Sequence, residues 1–246
     1  MEVATGLATM LLNHPAFHGV VAEENGRFLG CNFVDLRPPV AGIGPIAVDP
    51  AAQNRGVGRT LMQAVIDRAT AQGVSGIRLV QAAYHNRSLC LYTKVGFQTR
   101  ASLSVMQGPP LGIHFPSYNV RPATQADIPA CNRLCHQVLG FDRRGELGDA
   151  IGAGTAIVVE HLGRLTGYAT ALGFFAHAVA DSNQDLKALI GAAPEITGPG
   201  FLVPTQNHDI FTWCLESGLR LVMQMTLMSI GLYNEPIGSW LPSIAY

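Results

Sequence analysis

Residues 53–58 read Gln-Asn-Arg-Gly-Val-Gly, and their flanks restrict what this chain can fold into. An apolar run, residues 43–48, and the turn pair Asp49-Pro50 come first. Residues 59–72 follow, with Leu61, Met62, Val65, Ile66 and Ala69 at helical spacing. A strand therefore passes through a glycine turn into an amphipathic helix. The first N–H groups of that helix have no internal partner, and its dipole adds partial positive charge. Glycines let a ligand approach the backbone with no Cβ in the way. Such a turn can hold a phosphate or pyrophosphate. A plain helix start accounts for the same residues without a ligand.

The turn is not a Walker loop, because no Gly-Lys-Ser/Thr follows. Nor is it the dinucleotide fingerprint, since only Gly56 and Gly58 are present. Residues 76–82 read as the next strand. A short helix then runs from Asn86 through Leu91, Tyr92 and Lys94 to a closing Gly96-Phe97. The Gln-x-x-Gly-x-Gly turn after Val-Asp-Pro resembles the acyl-CoA loop of the GNAT superfamily of N-acyltransferases. The Asn followed by Leu-Tyr-x-Lys-x-Gly-Phe resembles that family's second signature. The resemblance covers residues 17–106.

It implies a fold and a chemistry. The fold expected is α/β (α+β): two tandem GNAT-like halves, each a mixed, mostly antiparallel sheet flanked by helices. Acetyl-CoA would be the cosubstrate, without a metal, and an acetyl group would pass to a primary amine of a small molecule. By position, Gln53, Asn54, Arg55, Gly56, Val57, Gly58, Arg59 and Thr60 would grip the pyrophosphate. Ile46, Ala47 and Val48 would pair with the pantetheine, and the Val48 amide would polarise the thioester carbonyl. Asn86 would contact pantetheine; alternatively it caps the helix. Tyr92 would protonate the departing thiolate, or place its ring in the core. Lys94 suits the helix dipole. The strand before the loop carries no carboxylate to act as base. Asp35, His85 and His114 are remote candidates, and capture of an already neutral amine needs none.

The chain of 246 residues is 48% hydrophobic and 13% charged, with a formal net charge of −1. That supports a sizeable core and excludes a basic nucleic-acid surface. No apolar run approaches the roughly 18 residues of a membrane span. The first residues lack the pattern of a secretory signal. Five cysteines without framework spacing fit a reduced, cytoplasmic setting. A homodimer remains open.

An internal repeat is visible. Residues 19–30 and 156–167 both read strand, Gly-Arg turn, strand. Residues 86–97 parallel 207–219, with Gly96 matching Gly218, and long apolar strands follow both. Residues 1–108 form the expected catalytic half and residues 119–246 a degenerate half, with residues 108–118 as linker. The second half lacks the glycine loop; a helix capped by Ser182 stands in its place, and Trp213 falls near the tyrosine position. The first half lacks a first strand, with residues 3–12 as a residual helix, so something is expected to cover its sheet edge. Residues 198–205 and the tail from Tyr233 are uncharged enough to line a substrate cleft. Cys131, Cys135 and His136 fit buried thiols on a helix better than a metal site. Two rival functions stand beside catalysis: a CoA-binding sensor without transfer, and an interaction scaffold that binds no nucleotide.

Overall fold

A computed structural model describes residues 9–245. Residues 9–13 are helical; the rest of the helix expected over residues 3–12 lies outside the described residues. The first half continues with β1 (Phe17–Glu24), β2 (Arg27–Asp35), β3 (Val40–Ile43), β4 (Ala47–Val48), α1 (Val57–Ala71), β5 (Gly76–Ala82), α2 (Asn86–Lys94) and β6 (Gln98–Gln107). The second half supplies β7 (Tyr118–Pro122), α3 (Ile128–Leu139), α4 (Arg144–Gly152), β8 (Ile157–His161), β9 (Arg164–Ala169) and β10 (Ala178–Ala180). It ends with α5 (Asn183–Ala192), β11 (Phe201–Pro204), α6 (His208–Glu216), β12 (Arg220–Gly231) and β13 (Ser239–Leu241).

The repeat is visible in the backbone. β1–β2 and β8–β9 are antiparallel hairpins. Their two-residue turns, Asn25-Gly26 and Leu162-Gly163, hold both residues at positive φ. That is the turn whose twist matches paired strands. Helices α2 and α6 both end at a glycine of positive φ, Gly96 and Gly218.

The sheets do not divide at the linker. The larger runs β1-β2-β3-β5-β12-β6-β11, with β4 also on β2; the smaller runs β13-β10-β9-β8-β7. β12, from the second half, lies between β5 and β6 of the first. β6, from the first half, lies between β12 and β11. Each long strand thus fills the other copy's sheet. The cores follow: Met228 of β12 packs with Met62, Val65 and Tyr92, while Met106 of β6 packs with Leu189, Phe201 and Cys214.

β1 pairs only with β2, and among the described residues no strand covers its outer edge. Residues 198–205, expected to line a cleft, instead contain β11, buried beside β6. No helix among the described residues is long and apolar enough to cross a membrane.

Candidate active site

The site lies where the first sheet splays. β3 pairs with β5 in parallel from Val40 to Gly42 only. The chain then turns at Gly44-Pro45 and resumes on β2 as β4, and among the described residues no strand pairs with the edge of β4 that faces β5. Val48 sits opposite Gly30, and the next amide, Asp49, donates to the Leu29 carbonyl at 2.8 Å. This is the register of a non-hydrogen-bonded pair, so the peptide groups of Val48 point away from β2. They face a cleft of about 580 Å³.

The opposite walls come from the loop and from α2. Gln53, Asn54, Gly56, Gly58 and Arg59 line one side, and Leu91 and Tyr92 the other. Gly56 precedes α1 at φ 89, which only glycine adopts readily. No side chain caps α1 and its first turn holds no acid, so its N-terminal amides remain free for an external anion. A Cβ on Gly58 would stand 3.4 Å from Leu91 and narrow the cleft.

Of the residues singled out in the sequence, Ile46, Ala47, Val48, Gln53, Asn54, Gly56, Gly58, Arg59 and Tyr92 converge on this space. Four others sit differently. The Arg55 guanidinium turns outward to Glu24, at 2.8 Å. Val57 is the first residue of α1, and the Thr60 hydroxyl turns back toward the Gly56 carbonyl. Asn86 is not the cap of α2. His85 caps it, accepting from the Ser88 amide at 3.2 Å, and Asn86 lines a shallow outer pocket with Arg59, Arg87 and Lys94.

Sequence reading missed Arg87, and it knew His85 only as a distant candidate base. Arg87 reaches across the cleft mouth and donates to Gln53 Oε1 at 3.1 Å and Asn54 Oδ1 at 2.6 Å. Its place one residue after Asn86, opposite the loop, was the available signal. Together with Arg59 and Lys94 it makes the mouth cationic. Among the described residues no carboxylate lines either space. Asp49, in the strand-to-helix turn, accepts from Arg27 and from the Ala51 amide, which hold its carboxyl below the usual range. Asp35 is taken up by Arg37. His114 lies in the linker and lines neither space.

Tyr92 is 7% exposed. Burial pushes its phenol above the ordinary value, against the opposing pull of a hydrogen bond with Ser88. The Ser88 hydroxyl in turn lies 2.7 Å from His85 Nδ1, and His85 is exposed. A chain of exchangeable protons therefore runs from the cleft to solvent.

Beyond Tyr92 the cleft opens into a smaller pocket of about 280 Å³ that shares Ile46, His85, Ser88 and Tyr92 with it. Its far wall belongs to the second half: Phe174 and Phe175 from the loop between β9 and β10, and Ile244 and Ala245 from the tail. The Ile244 amide donates to the Phe174 carbonyl at 2.8 Å and fixes the tail there.

Cys131 and Cys135 are buried, and burial pushes the Cys131 thiol up to about 12. His136 faces solvent, so the three do not converge.

Residues 4–97 match the family model described as "Acetyltransferase (GNAT) family". The mycothiol acetyltransferase of Thermomonospora curvata is 33% identical over 92 residues, 37% of this chain and 31% of that protein. The IAA acetyltransferase of Azospirillum brasilense is 28% identical over 104 residues, 42% of this chain and 68% of that protein. The match thus spans about a third of the mycothiol relative's length. Among solved structures, one from Pyrococcus horikoshii described as an acetyltransferase superposes with a TM-score of 0.74 at 18% identity, covering 96% of this chain and 81% of that one. A tandem GNAT protein from the clavulanic acid biosynthesis pathway gives 0.51 at 14% identity, over 88% and 84%. At these identities the two likenesses establish the fold alone. Residues 4–97 thus match the GNAT acetyltransferase family model, and the chain as a whole has the fold of a tandem GNAT protein whose second copy here lacks the glycine loop.

Proposed function

We propose that the protein is an N-acetyltransferase that moves an acetyl group from acetyl-CoA to a primary amine of a small molecule. One observation carries this reading: a capless, glycine-led helix N-terminus, an unpaired strand edge and a buried tyrosine border a single cleft. The amides of residues 53–60 would take the pyrophosphate, helped by Arg59 and Arg87, whose side chains flank the mouth. The free edge of β4 would pair with the pantetheine amides. The Val48 N–H would donate to the thioester carbonyl and stabilise the oxyanion as it forms.

The amine nitrogen then attacks the carbonyl carbon. An N–C bond forms, the C–S bond breaks, and the thiolate takes the Tyr92 phenol proton. Its raised pKa keeps the phenol protonated at neutral pH, so that it is able to donate to the thiolate as the C–S bond breaks. Ser88 and His85 return that proton from solvent. With no carboxylate among the described lining residues, the amine must arrive neutral and lose its second proton to water. That absence also favours one rival, a CoA sensor without transfer. Relatives carrying two different acetyltransferase names do not fix the acceptor. All five cysteines are unpaired, which fits the reducing cytoplasm as the setting.

The test is release of CoA thiol from acetyl-CoA in the presence of amines, for the parent protein and for Tyr92→Phe. Turnover should fall about a hundredfold, the low end for a lost general acid, with CoA affinity intact. Equal turnover removes Tyr92 as the acid. No amine-dependent release from the parent protein favours the sensor.

A further inference from the structure

The small pocket beyond Tyr92 contains a side chain with nothing to bond to. Gln81 lies on β5, in step with Ile77 and Leu79, which pack in the core of Tyr92. Its carboxamide therefore points to that face, and it lines the pocket. It is 5% exposed, and neither its oxygen nor its nitrogen has a hydrogen-bond partner. A buried amide without partners is costly to the folded protein. Two other amides of the same sheet are satisfied. Asn32, buried on β2, bonds to the Leu61 carbonyl and to the Phe33 amide, and Gln224 on β12 donates to Ser104 at 2.9 Å.

Apart from Gln81, His85, Ser88 and the Tyr92 phenol, the pocket side chains are apolar. Ile43, Met62 and Leu79 come from the first half, and Phe174, Phe175 and Ile244 from the second. The two phenylalanine rings stand edge to face at 5.9 Å. Among the described residues no acid or permanent cation lines it. Its 280 Å³ equals about nine waters at liquid density, so only a small molecule, or one end of a larger one, can enter.

We propose that this pocket is the acceptor site and that Gln81 selects the acceptor: a small amine with an apolar, preferably aromatic, body and an uncharged group that both donates and accepts, such as a primary amide. This rests on the acetyltransferase reading above and adds the acceptor class. The Gln81 carboxamide offers N–H donors and a carbonyl acceptor. A primary amide or hydroxyl answers both. A carboxylate answers only the donors and buries its charge among apolar side chains. A polyamine would bring a second ammonium to a wall with no counter-charge. The halves of the molecule therefore divide the labour: the first positions the nitrogen near Tyr92, and the second packs against the body of the acceptor.

The experiment is direct titration of the full chain, with CoA present so that no transfer occurs, using phenylalaninamide, 2-phenylethylamine, phenylalanine and spermidine. Phenylalaninamide should bind at least about tenfold more tightly than the other three. In Gln81→Leu that preference over 2-phenylethylamine should vanish, while affinity for CoA is unchanged. The variant should also melt no lower than the parent, because an unpaired buried amide has been replaced by an apolar group of similar size. A merely structural glutamine would instead lower the melting temperature. Spermidine or phenylalanine binding as tightly as the amide, or Gln81→Leu keeping the preference, overturns the proposal. Absence of CoA binding in the same titrations would remove the acetyltransferase reading, whereas the four amine affinities judge Gln81 separately.

Discussion

In the first copy, α1 begins at Gly56 with no capping side chain and no acid in its first turn. In the second, α5 begins at Ser182, whose side chain accepts from the Asp185 amide, and the Asp185 carboxylate is buried against the Thr166 and Ser182 hydroxyls. The helix N-terminus attracts negative charge in both. One copy leaves the place open to a visitor, and the other fills it with its own carboxylate. The neighbouring gap differs in the same way. Between α1 and α2 lies the cleft, spanned at its mouth by Arg87. Between α5 and α6, Asn183 and Asn207 bond to each other reciprocally at 3.0 and 2.9 Å, and Ser239 bonds to Asn183 at 2.5 Å.

The splay differs too. In the first copy the outer edge of β4 is free. In the second, β13 pairs with the matching edge of β10 and packs against β11. The tail thus occupies in the second copy the position proposed for pantetheine in the first. It then runs on to Ile244 and finishes the pocket beyond Tyr92. On the proposed reading, the second copy holds its own chain where the first would hold the ligand, and the copies remain interlocked through β6 and β12.

The largest expected effect that would break this contrast is at Gly56. Gly56→Val should weaken CoA binding by more than about 2 kcal/mol, since a side chain at positive φ strains the turn and crowds the free amides. Titration calorimetry reads this; retained affinity would make the loop an ordinary helix start. The second copy should carry a pH dependence instead. His177 is buried, with Nδ1 3.2 Å from Glu146 and Nε2 3.0 Å from the Tyr168 hydroxyl. Burial, with the nearby Arg143 charge, pushes its pKa down to about 4. Unfolded, it binds a proton near 6.5. Across that window the unfolded chain takes up more protons, so stability should fall as pH drops from about 6.5 to 4, by a few kcal/mol at most. Denaturant melts at pH 7 and 4.5 check this, and His177→Gln should flatten the difference. A slope unchanged in that variant would assign the acid sensitivity to other groups. The smallest effect is at the second helix start. Ser182→Ala should lower stability by about 1 kcal/mol, a lost N-cap, without touching CoA affinity. A change in CoA binding there would mean that the second copy is not silent.

Much of the candidate site was legible because its signals are local. The glycine turn, the bounds of β5, the Ser182 cap and the position of Tyr92 each follow from a few adjacent residues. The repeat also revealed the second hairpin but put its turn at Gly163-Arg164; the turn residues are Leu162 and Gly163, and leucine alone would not suggest positive φ. What stayed hidden depends on distant partners. β6 and β12 are both long and apolar, and either pattern suits either sheet, so their exchange cannot be read from composition. Helix α4 contains Gly145, Gly148 and Gly152, which disfavour a helix. It forms because Leu147 is buried and Glu146 accepts from Arg143 at 2.7 and 2.6 Å. That Gln81 lacks partners is visible only once everything around it has been placed.

The account rests on a CoA site that exists in one copy only. The measurement that tests it most directly is the thermal midpoint of the full chain with and without acetyl-CoA at about 1 mM, for the parent protein and for Gly58→Val. A ligand at a hundredfold excess over its Kd adds about 2.7 kcal/mol to the folded state. The account predicts a clear rise for the parent protein and little or none for Gly58→Val. No rise for the parent protein, or an equal rise for both, would contradict it.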